Sequence, residues 1–442
     1  MSTVGVYTMI PRFLFYLTRL KRHLRLSTSE LRELQLLRLR TIVRHAYDTV
    51  PFYHRKFRLA GVRPDDVKSL SDLSKLPITT KSEVQVCSFS DIVSRSFPAS
   101  ACSGRITSGS TGIPLVIYVN KNVLDFEGAV WIRALFENGL RLRDKMAVIC
   151  DPRSFPRSRS FTQRFGVMRS RYFSIFDTIE THRVGLSKYR PDVLKGYPSS
   201  LLMLADACHR GPDGFNPRLV FSSAELLDNG SRKLISSAFN AELLDNYACS
   251  EFSLLAWECH EHKGYHVNVD SVVMEFVDDD EAVAVGERGE ILCTGLHNVV
   301  MPLLRYRLGD VGVPDTDMCS CGRTFPLIRI VEGRADDFLM ATDGRKIPPT
   351  VFFPYPFESF EEIKQFRVIQ EKKDVLRIQL VGHRLQMGDE MFDKARVAIR
   401  RIFGENMQVE FELLPTLPCD LYGKPRKVVS MIDSGFAGAM KF

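Results

Sequence analysis

The stretch Thr107-Ser108-Gly109-Ser110-Thr111-Gly112-Ile113-Pro114 packs four hydroxyl side chains and two glycines into eight residues, then runs into Leu115-Val116-Ile117-Tyr118-Val119. The apolar run reads as a buried strand. Glycines let a backbone approach a ligand closely, and hydroxyls with bare N–H groups suit phosphate oxygens. A polar turn between two strands is the competing reading. The loop is not a Walker A loop: Gly104 and Gly109 have that spacing, but Ser110 stands where the phosphate-binding lysine belongs.

Working outward, the chain's 442 residues allow two or three domains. At 45% hydrophobic and 26% charged it has the composition of a globular protein. A net charge of +7 on this length is mild and selects no class of partner, so no nucleic-acid role is expected. No apolar run approaches the roughly 18 residues of a spanning helix. Residues 9–26 mix Phe13, Leu14, Phe15, Tyr16 and Leu17 with Arg12, Arg19, Lys21, Arg22 and Arg25. They lack the unbroken apolar core of a signal peptide, so a cytoplasmic location is expected. They read as a helix packed on its own domain, with a peripheral membrane contact as the alternative. The ten cysteines do not form a disulfide framework in a chain this long.

Residues Thr28 to Tyr47 have helical spacing behind cap candidates Ser27, Thr28 and Ser29. After the hydroxyl-rich loop, helix is expected over Val123–Gly139, strand over Lys145–Cys150, helix over Leu201–Cys208, strand over Leu219–Phe221 and helix over Ser231–Phe239. Strands alternating with helices predict an α/β domain with a largely parallel sheet, whose ligands bind at the carboxyl ends of strands. Ser222-Ser223-Ala224-Glu225 and Asn246-Tyr247-Ala248-Cys249-Ser250-Glu251 fall at such places, although helix capping by Ser223 or Ser250 would also explain them. A strand over Gly289–Gly295 leads to Leu304-Arg305-Tyr306-Arg307-Leu308-Gly309-Asp310. Asp310 beside a glycine reads either as an acceptor for two ribose hydroxyls or as a plain turn residue. Gly333-Arg334-Ala335-Asp336-Asp337 precedes a compact module: strands over Phe366–Gln370 and Val375–Val381, a helix over Asp389–Phe403 and a strand over Val409–Leu413. The chain closes with Gly423-Lys424-Pro425-Arg426-Lys427.

The order TSGSTGIP, SSAE, NYACSE, RYRLGD, GRADD and GKPRK resembles the adenylate-forming superfamily of acyl-CoA ligases. The resemblance is strongest to the branch of phenylacetate-CoA ligases, CapK-like capsule-biosynthesis proteins and deazaflavin-coenzyme adenylyltransferases, and RHAYDTVPFYHRKF with LSKLPITTKSEV fits that branch too. It implies a large N-terminal domain (1–335) with parallel sheets and a small mobile α+β lid (336–442). It implies that Thr107, Ser108, Gly109, Ser110, Thr111 and Gly112 wrap the ATP phosphates. Ser223, Ala224 and Glu225 would line the adenine pocket, with Tyr247 stacked on the base. Ser250 and Glu251 would hold Mg²⁺, and Asp310 helped by Arg334 would bind the ribose. Asp336 would be the hinge, and Lys424 would enter the site for the first half-reaction. Ala248 replaces the glycine usual in the Tyr-Gly-x-Thr/Ser-Glu motif, and Tyr422 precedes Gly423 where a small polar residue is commoner.

Cys259 and His266, followed about fifty residues on by Cys319 and Cys321, supply three thiolates and an imidazole, a closed tetrahedral zinc set. They also match a zinc site of this branch, which would staple the segment 259–321. His260 and His262 compete with His266, and a disulfide from Cys259 is the alternative. The expected activity is ATP- and Mg²⁺-dependent adenylation of a small carboxylate, with transfer to CoA or another acceptor. An AMP transferase, and a non-catalytic component of polysaccharide synthesis, are the alternatives.

Overall fold

The computed structural model describes residues 10–106, 115–156, 163, 165–208, 215–315, 318–334, 339–347, 363–382, 389–418 and 428–432. The loop Thr107–Pro114, Asp336 and Lys424 therefore lie outside the described residues, as do Arg157 and Arg159.

Helix α1 (Ile10–His23) is followed by α2 (Thr28–Thr49), which starts on a capping box formed by Ser27 and Glu30. A proline at its first position opens α3 (Pro51–Leu59). Short helices α4 (Lys81–Gln85) and α5 (Phe89–Ile92) lead to a two-stranded hairpin of β1 (Ser103–Ile106) and β2 (Val116–Val119). That hairpin carries the Thr107–Pro114 stretch between its strands. Asn120 then caps α6 (Lys121–Glu137), which is buried from Val123 to Leu135 apart from Leu124.

The main sheet changes character half-way. Strands β3 (Lys145–Cys150), β4 (Arg169–Ser174), β5 (Val193–Gly196), β6 (Leu219–Ser223) and β7 (Glu242–Cys249) are parallel, linked through α7 (Ile179–Tyr189), α8 (Pro198–Cys208) and α9 (Asn229–Phe239). Beyond Cys249 the connections are too short for a crossover, so the strands run antiparallel. These are β8 (Ser253–Glu258), β9 (Tyr265–Val267), β10 (Val272–Asp278), β11 (Glu281–Ala282), β12 (Gly289–Gly295), β13 (Tyr306–Asp315) and β14 (Leu327–Arg334). The 12 strands are ordered β11-β10-β12-β13-β14-β9-β8-β7-β6-β5-β3-β4. The parallel expectation thus holds for five strands, and the antiparallel seven extend it into a mixed α/β sheet.

Past β14 come a small hairpin, β15 (Leu339–Met340) with β16 (Lys346–Ile347), and a four-stranded sheet. That sheet contains β17 (Ile363–Lys372), β18 (Val375–Gly382), β19 (Gln408–Leu413) and β20 (Val428–Ser430), with α10 (Asp389–Phe403) between β18 and β19. Met391, Ala395, Ala398, Ile399 and Phe403 bury one face of α10. A separate apolar core forms there, including Leu376, Ile378, Leu380 and Ile399, and Leu226 from the large region packs against it.

Residues 9–26 were read as a helix on its own domain, and Phe13, Leu17, Leu20 and Leu24 join the core that contains α6. Leu14 and Phe15 remain half exposed. No helix among the described residues is long and apolar enough to cross a membrane.

The tie between α1, α6 and the sheet is ionic. The Arg133 guanidinium, fully buried on α6, donates to both oxygens of Asp270 at 2.5 and 3.1 Å, to Asn268 Oδ1 at 2.7 Å and to the Leu20 carbonyl at 3.2 Å. His23 Nδ1 lies 2.8 Å from the same carboxylate. Burial alone would raise the Asp270 pKa, but Arg133 and His23 outweigh it and hold the group well below the carboxylate range. Its stabilisation is therefore present above the ordinary Asp pKa and lost as pH falls through the depressed one. Asp270→Ala leaves Arg133 buried and unpaired and should cost about 3–5 kcal/mol in denaturant unfolding. A change under about 1 kcal/mol would show that the pair is not holding the helix.

Candidate active site

The polar clusters converge where β6, β7 and β13 end or bend. Ser222 and Ser223 lie inside β6, one strand-width from Asp245 and Asn246 of β7. Neither suspected cap role holds: Asp228, not Ser223, caps α9, and Ser250 sits in the turn between β7 and β8. Ala224 takes a left-handed backbone, φ 72°, which turns the chain out of β6. Glu225 then accepts from Ser199 N at 2.9 Å and Ser199 Oγ at 3.0 Å, fixing the start of α8.

Two buried polar atoms here, Ser223 Oγ and Asn246 Oδ1, have no hydrogen-bond partner among the described residues. They stand on register-paired residues at the carboxyl end of the parallel strands. An orphaned buried acceptor costs about 1–3 kcal/mol, which a ligand's donors would relieve. Asn246 belonged to the cluster read from sequence, but nothing there distinguished it from its neighbours.

Tyr247 OH donates to Asp310 Oδ2 at 2.7 Å. Burial, reinforced by that carboxylate, pushes the phenol well above its usual pKa, so it stays a neutral donor. Asp310 is not at a turn. Gly309 has φ 78°, yet the chain continues as β13, and Asp310 pairs in register with Arg334 of β14. Arg305 and Arg307 of the same motif serve the fold: Arg305 binds Glu275 at 3.1 Å and the Leu76 carbonyl at 2.7 Å, and Arg307 lies 3.3 Å from Glu290. The side chain of Arg334 is outside the described set.

Glu251 is half-buried in the β7–β8 turn. The nearby Arg105 on β1 forms a two-pronged pair with Glu127 of α6, at 2.7 and 3.1 Å. Burial disfavours that guanidinium, but Glu127, then Cys249 and Glu251, hold it firmly charged. Sequence reading missed this pair, which ties β1 to α6 near Glu251. Ala248 keeps ordinary strand geometry at a bulge in the β7–β8 pairing and packs against the core, so glycine is not required there.

Cys259, His266, Cys319 and Cys321 do come together, with their ligand atoms all within 4.8 Å. The Cys259 and Cys319 sulfurs are 3.6 Å apart, too far for a disulfide but close to the roughly 3.8 Å of two thiolates on one tetrahedral zinc. Cys321 Sγ is 3.3 Å from His266 Nε2. His266 Nδ1 faces the Phe325 carbonyl at 3.1 Å, leaving Nε2 free to ligate. Burial lowers its pKa to about 4, so the imidazole is neutral. The competitors point elsewhere: His260 to Glu261 and His262 to Glu258 and Glu242. Gly264 makes the turn into β9 feasible, since a Cβ there would meet the Ile328 carbonyl at 2.5 Å.

These clusters lie where the sheet switches from parallel to antiparallel strands, the kind of place where open sheets bind their ligands. No family model matches the chain. It is 31% identical to the phenylacetate-coenzyme A ligase of Escherichia coli (strain K12), over 71% of this chain and 73% of that one. It is 23% identical to protein CapK of Staphylococcus aureus, over 91% and 90% respectively. Its fold is similar to that of a 2-hydroxyisobutyryl-CoA ligase in the postadenylation state, with TM-score 0.78, 21% identity and coverage of 92% and 91%. The chain belongs to the phenylacetate-CoA ligase family of adenylate-forming enzymes.

Beneath the site, Asp245 accepts from Ser222 Oγ at 2.6 Å and Tyr265 OH at 2.8 Å. Burial, with the Glu258 carboxylate beside it, raises its pKa to about 6 from 3.8. A carboxyl raised in the fold adds stability while protonated and loses it as pH climbs through the folded value. Asp245→Asn should therefore gain on wild type by up to roughly 3 kcal/mol between about pH 4 and 7 in unfolding titrations. A gap that stays constant with pH would refute the assignment.

Proposed function

We propose that the enzyme adenylates a small carboxylic acid with ATP and Mg²⁺, releases pyrophosphate, and passes the acyl group to CoA. The observation that carries this reading is the pairing of Tyr247 with Asp310 beside the orphaned Ser223 Oγ and Asn246 Oδ1. Relatives named phenylacetate-coenzyme A ligase, and a solved ligase in complex with an acyl-AMP and CoA, support it.

In the first half-reaction a substrate carboxylate oxygen bonds to the α-phosphorus as the bond to the bridging oxygen breaks, and pyrophosphate leaves. In the second, the CoA thiolate bonds to the acyl carbon and AMP departs. Thr107–Gly112 wrap the β- and γ-phosphates, with Thr111 on the departing pyrophosphate. Ser223, Ala224 and Glu225 border the base, on which Tyr247 stacks. Asp310 and Arg334 take the ribose hydroxyls. Ser250 and Glu251 would hold a magnesium ion, which would neutralise charge on the leaving group. Lys424 brings a compact cation to the α-phosphate, where two anions must meet. Residues 336–442 act as a lid that turns about Asp336, delivers Lys424 and withdraws it for CoA.

Lys424→Ala should lower pyrophosphate release by a factor on the order of 100 or more while the thermal midpoint is unchanged. Glu251→Gln should raise the magnesium concentration needed for half-maximal release. Full activity in Lys424→Ala would remove that residue from the mechanism.

The four-residue cluster holds a structural zinc, since three thiolates and an imidazole leave no open position for substrate. Burial raises the Cys259 pKa to about 12 in the metal-free thiol, so binding zinc releases protons and weakens at low pH. Protein purified without chelator should contain one zinc per chain. A strong chelator should lower its thermal midpoint, most steeply at acid pH. Metal-free protein of unchanged midpoint would overturn this role.

A further inference from the structure

Lys195 lies one residue from the carboxyl end of β5, between Val148 of β3 and Phe221 of β6. It is 91% buried on the face of the sheet that α6 covers, by the complement of its 9% exposure. Its ammonium rests 3.6 Å from the centre of the Trp131 ring. No hydrogen bond or ion pair reaches it among the described residues, and the titratable group acting on it is the Cys150 thiol. Burial pushes that thiol up to about 12, so it brings no negative charge at neutral pH.

The energetics do not close within the protein. Removing an ammonium from water costs more than a single desolvated cation–π contact returns. Burial lowers the Lys195 pKa to about 8, which still leaves it cationic at neutral pH. A buried cation of this kind is kept where an anion arrives.

Its position says which anion. The Trp131 indole whose face carries Lys195 donates its N–H to Ser253 Oγ at 3.0 Å. Ser253 pairs with Cys249, on the turn that presents Ser250 and Glu251. One ring therefore separates Lys195 from the place where the adenylate would form. The two register partners of Lys195, Val148 and Phe221, are apolar.

We propose that Lys195 is the specificity determinant of the acyl pocket, and that the acid it selects carries a second, distal carboxylate. This rests on the adenylation reading above. The near carboxylate goes to the α-phosphate and the far one to Lys195, with Trp131 and Phe221 flanking the spacer.

The test pairs acids that differ only at the far end, phenylacetate with 4-carboxyphenylacetate and hexanoate with adipate, in ATP–pyrophosphate exchange. Wild type should favour the diacid in each effective pair by on the order of 100-fold in kcat/KM. Lys195→Met should reverse that order through KM, without loss of thermal midpoint because it removes a buried charge. Lys195→Arg should retain the diacid preference. A monoacid preference in wild type that Lys195→Met leaves unchanged overturns the proposal while the adenylation reading stands. If no acid supports exchange, adenylation fails. Thermal stabilisation by the diacid alone, present in wild type and absent in Lys195→Met, then still supports this assignment, and equal stabilisation of both refutes it.

Discussion

The buried pair of Arg133 with Asp270 is the constraint on which the rest of the large region depends. It fixes α6, which packs on α1 and β8 and reaches both the β1–β2 hairpin and the β7–β8 turn. Trp131 reaches Ser253 at the head of β8, Glu127 clamps Arg105 at the base of the hairpin, and Asn138, just past the helix, donates to the Glu258 carbonyl at 2.7 Å. Such a helix cannot be amphipathic in the ordinary sense, because it has no solvent face to speak of. Its buried charged residues, Asp125, Glu127 and Arg133, each face an opposite charge, and the same partners set its rotation and depth. A purely apolar helix could slide. This one is pinned at Arg133, Trp131 and Glu127, which keeps the hairpin and the β7–β8 turn in fixed relation.

That relation matters because the site lies where the sheet reverses its connectivity. Parallel strands end on one side with Ser223 and Tyr247, while the antiparallel strand β13 supplies Asp310 from the other. The polar layer beneath, Asp245 with Ser222 and Tyr265 and Glu258 with Arg232 at 2.8 Å, binds the last parallel strand to the first antiparallel ones. Farther out, the Cys and His cluster joins the end of β8 and the start of β9 to the connection before β14. The two halves are thus stitched by charge near the site, and farther out by the gathering of three thiols and an imidazole, rather than by a continuous crossover.

Much of this was legible in the sequence because it is local. Apolar runs, caps and the six ordered clusters mark helices, strands and their sequence spacing, and three thiols with a histidine mark a metal set by chemistry alone. What stayed hidden depends on partners distant in sequence. Asp310 beside a glycine suits a turn, and only pairing with β14 makes it part of a strand. Neither Lys195 nor the strand that carries it stands out in the sequence; burial against Trp131, far from it in the chain, sets it apart. Arg105 and Arg133 are indistinguishable by composition from the solvated arginines of α2; burial against Glu127 and Asp270 separates them. The resemblance to CoA ligases supplied roles for Ser223, Tyr247 and Asp310, but not the Tyr247–Asp310 contact or the orphaned Asn246.

Charge also constrains how such a site can work. Its described walls offer acceptors in abundance: Glu225, Glu251 and Asp310 are carboxylates, and the nearby Arg105 is already matched by Glu127. A triphosphate brought against them would meet repulsion before attraction. The cations that make binding favourable must therefore arrive with the nucleotide or from segments that move. In the proposed mechanism a metal ion at Glu251 would satisfy the first condition and a lysine on a separate lid the second. Such an arrangement would have a kinetic merit, since a site lacking fixed cations would not hold pyrophosphate once the lid leaves. Lys195 lies over the face of the Trp131 ring, whereas Ser253 meets the indole N–H at the ring's edge, so under the diacid proposal the lysine would face the acid rather than the phosphates.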